Sequence, residues 1–301
     1  MRHSAKNILM KMNFNNRSLG ILTTHEESFP YYNGTELTPE EGKQIVVKYN
    51  AFNPFLLKTN YPNIKNNIYL DQKISEINTR KLNFGNIESW LLKYKSYIEN
   101  SNFQNNINIK EKSVKWINIL IKSIEFNTNE NLDIKFIERI HRLIFENFPK
   151  TKILVGEFRK LQNWIDSNYA WNPDLADFVP PHQSNINILM QDWIYSYNKK
   201  VEYPYIHAAI LYYQFMVIHP FEDGNEKTCR ILITLYFLKN HIYNENFILL
   251  KSAIRREREK SNTILRCVSL YGSFDDWIKY FLTSLALVIE NKSTNQVIDL
   301  Y

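Results

Sequence analysis

The chain has 301 residues, of which 44% are hydrophobic and 23% charged, with a formal net charge of +6 and only 7 glycines. This composition excludes a disordered, collagen-like or low-complexity protein, and 301 residues suffice to bury one large core or two modest ones. No apolar run reaches the ~18 residues that span a bilayer, Met1–Phe14 lacks the apolar centre of a signal peptide, and Cys229 and Cys267 are too few for a disulfide framework; a cytoplasmic protein is expected, with export to a host cell left open.

In chain order, the stretch to about Asn60 reads as loops and short helices punctuated by Pro30, Pro39, Pro54 and Pro62. Thr38-Pro39-Glu40-Glu41 has the cap, proline and acidic first turn of a helix start. Residues 64–100 are weakly patterned as helix, and the polar run Asn100–Asn108 marks the expected boundary between an N-terminal region (1–105) and the main domain (106–292), with a tail at 293–301. Val114–Glu125 reads as a helix. Ile137, Ile140, His141 and Ile144 recur at the spacing of a buried helical face, as do Ile206, Ala209, Ile210, Tyr213 and Val217. Ile231, Leu235 and Leu238 mark a further helix, and Trp277, Phe281, Leu285 and Val288 a last one. Gly156–Pro181 has no helical period and suits a β-hairpin followed by an extended crossing. The basic cluster Arg255-Arg256-Glu257-Arg258-Glu259-Lys260 is interleaved with glutamates and reads as a solvated helix face; neither nucleic acid nor a membrane is the expected partner, and a homo-oligomer is left open. The fold expected is all-α, with one small β element.

The segment Ile218–Arg230 carries the chemistry. A hydrophobic helix ends at His219, and Pro220 cannot continue it. Gly224 permits the positive φ of a tight turn, and Asn225 can cap the helix that follows. Such a turn aims backbone N–H groups outward at the positive end of a helix, an anion-binding nest. An imidazole, the Asp223 carboxylate and the Arg230 guanidinium stand around it: a base, a hard-cation ligand and a phosphate clamp. By periodicity alone, a connector turn with a histidine cap is the commoner use of such a segment.

His219-Pro220-Phe221-Glu222-Asp223-Gly224-Asn225-Glu226-Lys227-Thr228-Cys229-Arg230 resembles the signature of the Fic/Doc family, H-P-F-x-[D/E]-G-N-G-R-x-x-R. Gly156-Glu157-Phe158-Arg159 with Gln162-Asn163-Trp164-Ile165 is similar to the family's G-E-[LF]-R…Q-x-W-I segment. Phe178-Val179-Pro180-Pro181-His182 resembles the stretch after its hairpin flap, and Tyr213-Gln214-Phe215 and Trp277–Leu282 are also typical. The resemblance implies a Fic-type helical domain with a small β-hairpin flap, and transfer of AMP from ATP to a Tyr, Thr or Ser hydroxyl of a target protein. Under it His219 would be the general base and Asp223 would hold Mg²⁺ against the phosphates. Gly224, Asn225, Glu226 and Lys227 would line the phosphate nest, Arg230 would neutralise the γ-phosphate, and Phe221 would anchor the loop. The flap near Gln162–Trp171 would bind the target by strand addition.

Two positions depart from the signature. Glu226 stands where the second glycine belongs and adds a like charge beside a polyanion, and Lys227 replaces an arginine and loses its bidentate fork. Ser261-Asn262 stand where relatives often carry a Tyr-Tyr pair near the adenine. The alternatives are therefore a transferase with another donor (phosphate or phosphocholine transfer), a self-restrained enzyme, or a Fic fold kept as a binding module. No clean inhibitory helix motif is present; Glu76 and Glu290 are the nearest candidates, and both also suit ordinary helix positions.

Overall fold

The computed structural model describes residues 19–30, 43–62, 64, 68–79, 87–100, 107–126, 131–151, 153–165, 172–241, 254, 258–272 and 274–290. Its described elements are two strands, β1 (Gly20–Pro30) and β2 (Gln44–Pro54), followed by helices. These are α1 (Ile68–Thr79), α2 (Ile87–Asn100), α3 (Ile107–Phe126), α4 (Ile134–Asn147), α5 (Ile186–Asn198), α6 (Pro204–Ile218), α7 (Asn225–Lys239), α8 (Arg258–Tyr271) and α9 (Phe274–Glu290). The mostly helical expectation holds.

The N-terminal stretch differs from the expectation of loops and short helices. β1 and β2 pair antiparallel along their whole length, from Gly20 opposite Pro54 to Pro30 opposite Gln44. Pro30 and Pro54 are the last residues of their strands, where a missing N–H costs little, so prolines that suggested loops are strand terminators. The helix start expected at Thr38–Glu41 lies outside the described residues. Val47, Tyr49 and Ala51 alternate onto one face of β2 and form a small core with Phe29 and Val179, while Phe52 turns to the other face and joins the main core.

This sheet reaches the segment that carried the flap expectation. Ile165 and Phe178 form an antiparallel bridge, exchanging N–H···O bonds of 2.8 and 3.0 Å. The next residue presents its carbonyl to the opposite side, and Phe52 N–H donates to Val179 O at 2.9 Å. The lateral order is thus β1, β2, the 178–179 segment, then Ile165; residues 166–171 lie outside the description. Trp164 packs edge-on against Phe29.

The main core centres on α6. The sequence pattern gives this helix one buried face, but the structure buries nearly every residue from Tyr205 to Ile218, the behaviour of a helix surrounded by others. Proline at its first turn removes an N–H that would have no intrahelical partner. Trp193 on α5 and Trp277 on α9 each donate an indole N–H to an α6 carbonyl, Leu211 O at 2.9 Å and Ala209 O at 2.7 Å. α4 begins at Asp133, whose carboxylate accepts from Phe136 N–H at 2.7 Å, and buries Ile137, Ile140, His141 and Ile144 as the spacing requires. Asp192 on α5 accepts from the N–H groups of Leu57 (2.6 Å) and Lys58 (3.0 Å), which fixes the chain leaving β2 against the helices.

Candidate active site

The turn between α6 and α7 is the site. α6 closes at His219, whose N–H donates to Phe215 O at 3.0 Å while its own backbone enters the left-handed region (φ 50°, ψ 58°). That conformation costs a non-glycine residue roughly 1–2 kcal/mol, so the surroundings must hold it. They do so through Arg159. Its guanidinium donates from Nε to His219 O at 3.0 Å and from Nη1 to Leu161 O at 3.1 Å, and Nη2 donates to Pro181 O; its N–H donates to Pro220 O at 2.9 Å. One buried side chain thereby straps both sides of the 159–181 segment to the His219 turn. Burial lowers the Arg159 pKa to about 10, so it stays charged at neutral pH.

Beyond His219 the loop is anchored from beneath. Phe221 is fully buried and stacks on His141 with ring centroids 3.8 Å apart and planes 8° apart, the anchoring expected of it. Gly156 N–H donates to His141 Nδ1 at 2.9 Å, so the proton sits on Nε2, which donates to Asp223 O at 3.0 Å. Burial pushes the His141 pKa down to about 4, in keeping with a neutral ring bonded at both nitrogens. Asn225 accepts from Phe221 N–H (2.9 Å) and donates to Phe221 O (2.8 Å), closing the turn with its side chain. Gly224 is left-handed (φ 75°) and occupies the N-cap of α7 without a side chain, and a Cβ there would stand 2.7 Å from Phe145 Cε2. Glu222 accepts from Leu154 N–H at 2.9 Å and Asn163 donates to Phe221 O at 3.2 Å.

The reactive groups point away from these anchors. The half-buried His219 ring places Nδ1 3.3 Å from Met216 O, an arrangement that favours the proton on Nδ1 and leaves Nε2 as the acceptor. Burial lowers its pKa to about 4, against the opposing Met216 carbonyl, and the Arg159 charge adds to the lowering. Asp223 accepts from Gly224 N–H (2.7 Å, Oδ1) and from Lys150 Nζ (2.6 Å, Oδ2). Partial burial works against its ionisation, yet Lys150, the Gly224 N–H and Lys227 together hold its pKa below the ordinary value. Glu226 and Lys227 occupy the first turn of α7, with the Lys227 ammonium 5.9 Å from the Phe148 ring centroid. Arg230 lies one turn further on, 3% exposed, with its guanidinium 4.4 Å from the Trp116 ring centroid on α3.

The structure therefore brings His219, Asp223, Gly224, Asn225, Glu226 and Lys227 together and sets Arg230 deeper, against an aromatic wall. Sequence reasoning missed Lys150 and the tautomer-fixing role of His141. It placed Arg159 in a similar segment without a task. His141 carried one signal, a polar ring at a buried helical position. Among the described residues no group of three or more His, Cys, Asp or Glu could hold a metal ion. Each oxygen of Asp223 accepts one bond, Oδ1 from Gly224 N–H and Oδ2 from the Lys150 ammonium, so a divalent ion on this carboxylate would meet Lys150 there. Of the inhibitory candidates, Glu76 pairs with Lys73 on α1 at 2.7 Å; the side chains of Glu290, Ser261 and Asn262 lie outside the description.

The sequence model of the Fic/DOC family matches residues 131–237, which hold α4, the strap at Arg159, α6, the His219 turn and most of α7. Residues 131–237 form a Fic/DOC domain. "Protein adenylyltransferase Fic" of Aedes aegypti is 29% identical over 132 residues, covering 43% of this chain and 23% of the relative. That of Drosophila willistoni is 30% identical over 131 residues, 42% of this chain and 23% of the relative. The chain thus spans about a quarter of the length of these curated relatives. A crystal structure of a Fic family protein from Desulfovibrio desulfuricans G20 superposes with a TM-score of 0.56 at 16% identity, covering 78% of this chain and 79% of that one. That likeness concerns the fold, and the N-terminal sheet and helices α8–α9 extend the Fic/DOC match on both sides. No helix among the described residues is long and apolar enough to cross a membrane.

Proposed function

We propose that this Fic domain transfers a nucleotide fragment, AMP from ATP in the first instance, to a Tyr, Thr or Ser hydroxyl of a target protein. The observation that carries the reading is His219: a neutral ring at pH 7, anchored by its backbone, with Nδ1 turned to Met216 O and Nε2 left to accept a proton. The hydroxyl oxygen bonds to the α-phosphorus, the bond from that phosphorus to the bridging oxygen breaks, pyrophosphate leaves, and the hydroxyl proton passes to His219 Nε2. A pKa near 4 makes a weak base, but an arriving polyanion raises it by favouring the imidazolium. Phosphoryl chemistry of this kind asks mostly for positioning and charge neutralisation. The main-chain N–H groups at the start of α7, with Lys150 and Lys227 beside them, supply both. The relatives' name, protein adenylyltransferase, supports ATP as the donor, and the apolar side chains of Leu161 (71% exposed) and Ile165 (37% exposed) beside the strap offer a surface for the target segment.

The test is intact-mass spectrometry of the protein with ATP and hydroxyl-bearing acceptor peptides. A mass increase of one AMP unit is expected, and it should vanish in His219→Ala while stability in urea changes by no more than about 1 kcal/mol. Undiminished labelling by the variant excludes His219 as the base.

A further inference from the structure

We propose that Lys150 is the resident counter-cation of the catalytic loop: its ammonium stands on Asp223 where a divalent ion would sit, and the loop holds the phosphates of its donor through Lys150, without a metal. This rests on the reading of the site as a nucleotide-donor transferase and assigns the means of phosphate binding in it.

The placement of Lys150 is built in by its neighbours, beyond the ion pair itself. α4 ends at Asn147, Phe148 N–H closes back on Ile144 O, and Pro149 prevents the helix from continuing. The chain then runs back to the loop and is fastened there twice. Leu154 N–H donates to Glu222 Oε2 at 2.9 Å, and Gly156 N–H donates to His141 Nδ1, whose ring is bonded to Asp223 O. Arg142 adds a bond to Gly156 O at 3.3 Å. A segment pinned to the loop at these points carries Lys150 to the mouth of the nest, where Nζ meets Asp223 Oδ2 at 2.6 Å.

The charge at the mouth disfavours a divalent ion. One oxygen of Asp223 is taken by Gly224 N–H and the other by Lys150, and Lys227 lies close enough to act on the same carboxylate. Mg²⁺ keeps most of its waters and needs an open carboxylate oxygen plus substrate phosphates. Here it would have to displace one ammonium and sit near a second. A phosphate meets the opposite situation. The Lys150 side chain is 57% exposed, and an exposed ion pair holds its partner only weakly, so the ammonium can turn toward an incoming anion. An ammonium has three N–H donors and Asp223 uses one; the other two have no partner among the described residues. The cation also answers the departures in the signature, because Glu226 subtracts a positive field at the nest and Lys227 brings no fork.

The experiment is calorimetric titration of ADP into the whole protein, once in EDTA and once in excess Mg²⁺, for the parent, Lys150→Met and Lys150→Arg. The parent should bind in EDTA with an affinity within about three-fold of that in Mg²⁺. Lys150→Met should lose about ten-fold or more in EDTA and recover part of it with Mg²⁺, because Asp223 is then open, while Lys150→Arg stays near the parent. Mg²⁺ titrated alone should bind Lys150→Met better than the parent. Binding by the parent only when Mg²⁺ is present overturns the assignment and leaves the transferase reading standing. Equal binding of the parent and Lys150→Met in EDTA overturns it as well. ADP binding in neither buffer overturns both.

Discussion

Arg159 is 3% exposed and still charged, because its guanidinium is occupied by the carbonyls of His219, Leu161 and Pro181 and Tyr49 and Glu27 lie near enough to favour the cation. Charge-assisted hydrogen bonds contribute about 1.5–3 kcal/mol each, and buried acceptors that lose their donor cost a further desolvation penalty. Arg159→Met keeps the side-chain volume and removes every donor, so it should destabilise the protein by ~3 kcal/mol or more, read from urea unfolding, and should lower transfer by releasing His219 from its left-handed conformation. A loss under about 1 kcal/mol would mean that the turn is held by something else. Glu226 gives a variant whose two effects carry opposite signs. As a carboxylate in the first turn of α7 it stabilises the helix by ~0.3–1 kcal/mol through the helix dipole, and as a negative charge at the nest it opposes phosphates. Glu226→Gln should therefore lose a few tenths of a kcal/mol in stability while ADP affinity tightens by about three- to ten-fold. Unchanged affinity at low salt would show that its carboxylate does not reach the phosphates.

At the level of elements, the turn from α6 to α7 was the most legible part of the chain, because its chemistry depends on residues adjacent in sequence: Pro220 ends a helix, Gly224 supplies a left-handed residue and α7 begins at Asn225. What supports the turn from outside was not legible, since those supports come from 58 or more positions away, as Asn163 does to Phe221, or 82 away, as His141 does to Asp223. The strands failed to show for another reason. β1 and β2 bury only alternate residues along part of their length, and their prolines, which close the strands, look from the sequence like loop punctuation. The buried face assigned to α6 was half the truth, because a helix packed on all sides has no polar face for the period to reveal. Gly224 tests the turn as an element. A Cβ would meet Phe145 Cε2 at 2.7 Å and the backbone has φ 75°, so Gly224→Ala suffers both strain and a clash. It should cost ~1–3 kcal/mol and, by displacing the N-terminus of α7, weaken ADP binding in the same protein. A variant that binds ADP normally and melts with the parent would show that the turn tolerates another conformation.

Across the whole molecule, three buried or half-buried histidines share one electrostatic state. His141 is bonded at both nitrogens under the loop 219–224, His219 lies at the turn itself, and His207 on α6 lies between Tyr61 OH at 2.6 Å and Ser196 O at 2.9 Å. Burial is the first cause in each, and each pKa falls from 6.5 to about 4. Between those values the unfolded chain binds protons that the folded protein refuses, so stability is full above pH ~6.5 and declines as the pH falls toward 4. Each group contributes up to roughly 2 kcal/mol of that loss between pH 6.5 and 5, with the half-buried His219 below that ceiling. The lowered pKa values of Glu27 and Asp223 act in the same direction further down, since their stabilisation is present above the unfolded carboxylate pKa and fades as they protonate. Urea midpoints measured at half-unit steps from pH 7.5 to 4.5 should fall continuously, with a slope that approaches uptake of about two to three protons on unfolding near pH 5. His207→Gln, remote from the His219 turn, should flatten that slope by about one proton even where it lowers stability at every pH. A stability profile level between pH 6.5 and 5 would show that these rings are not held neutral by the fold, and the same result would remove the ground for treating His219 as a base that is unprotonated before its donor arrives.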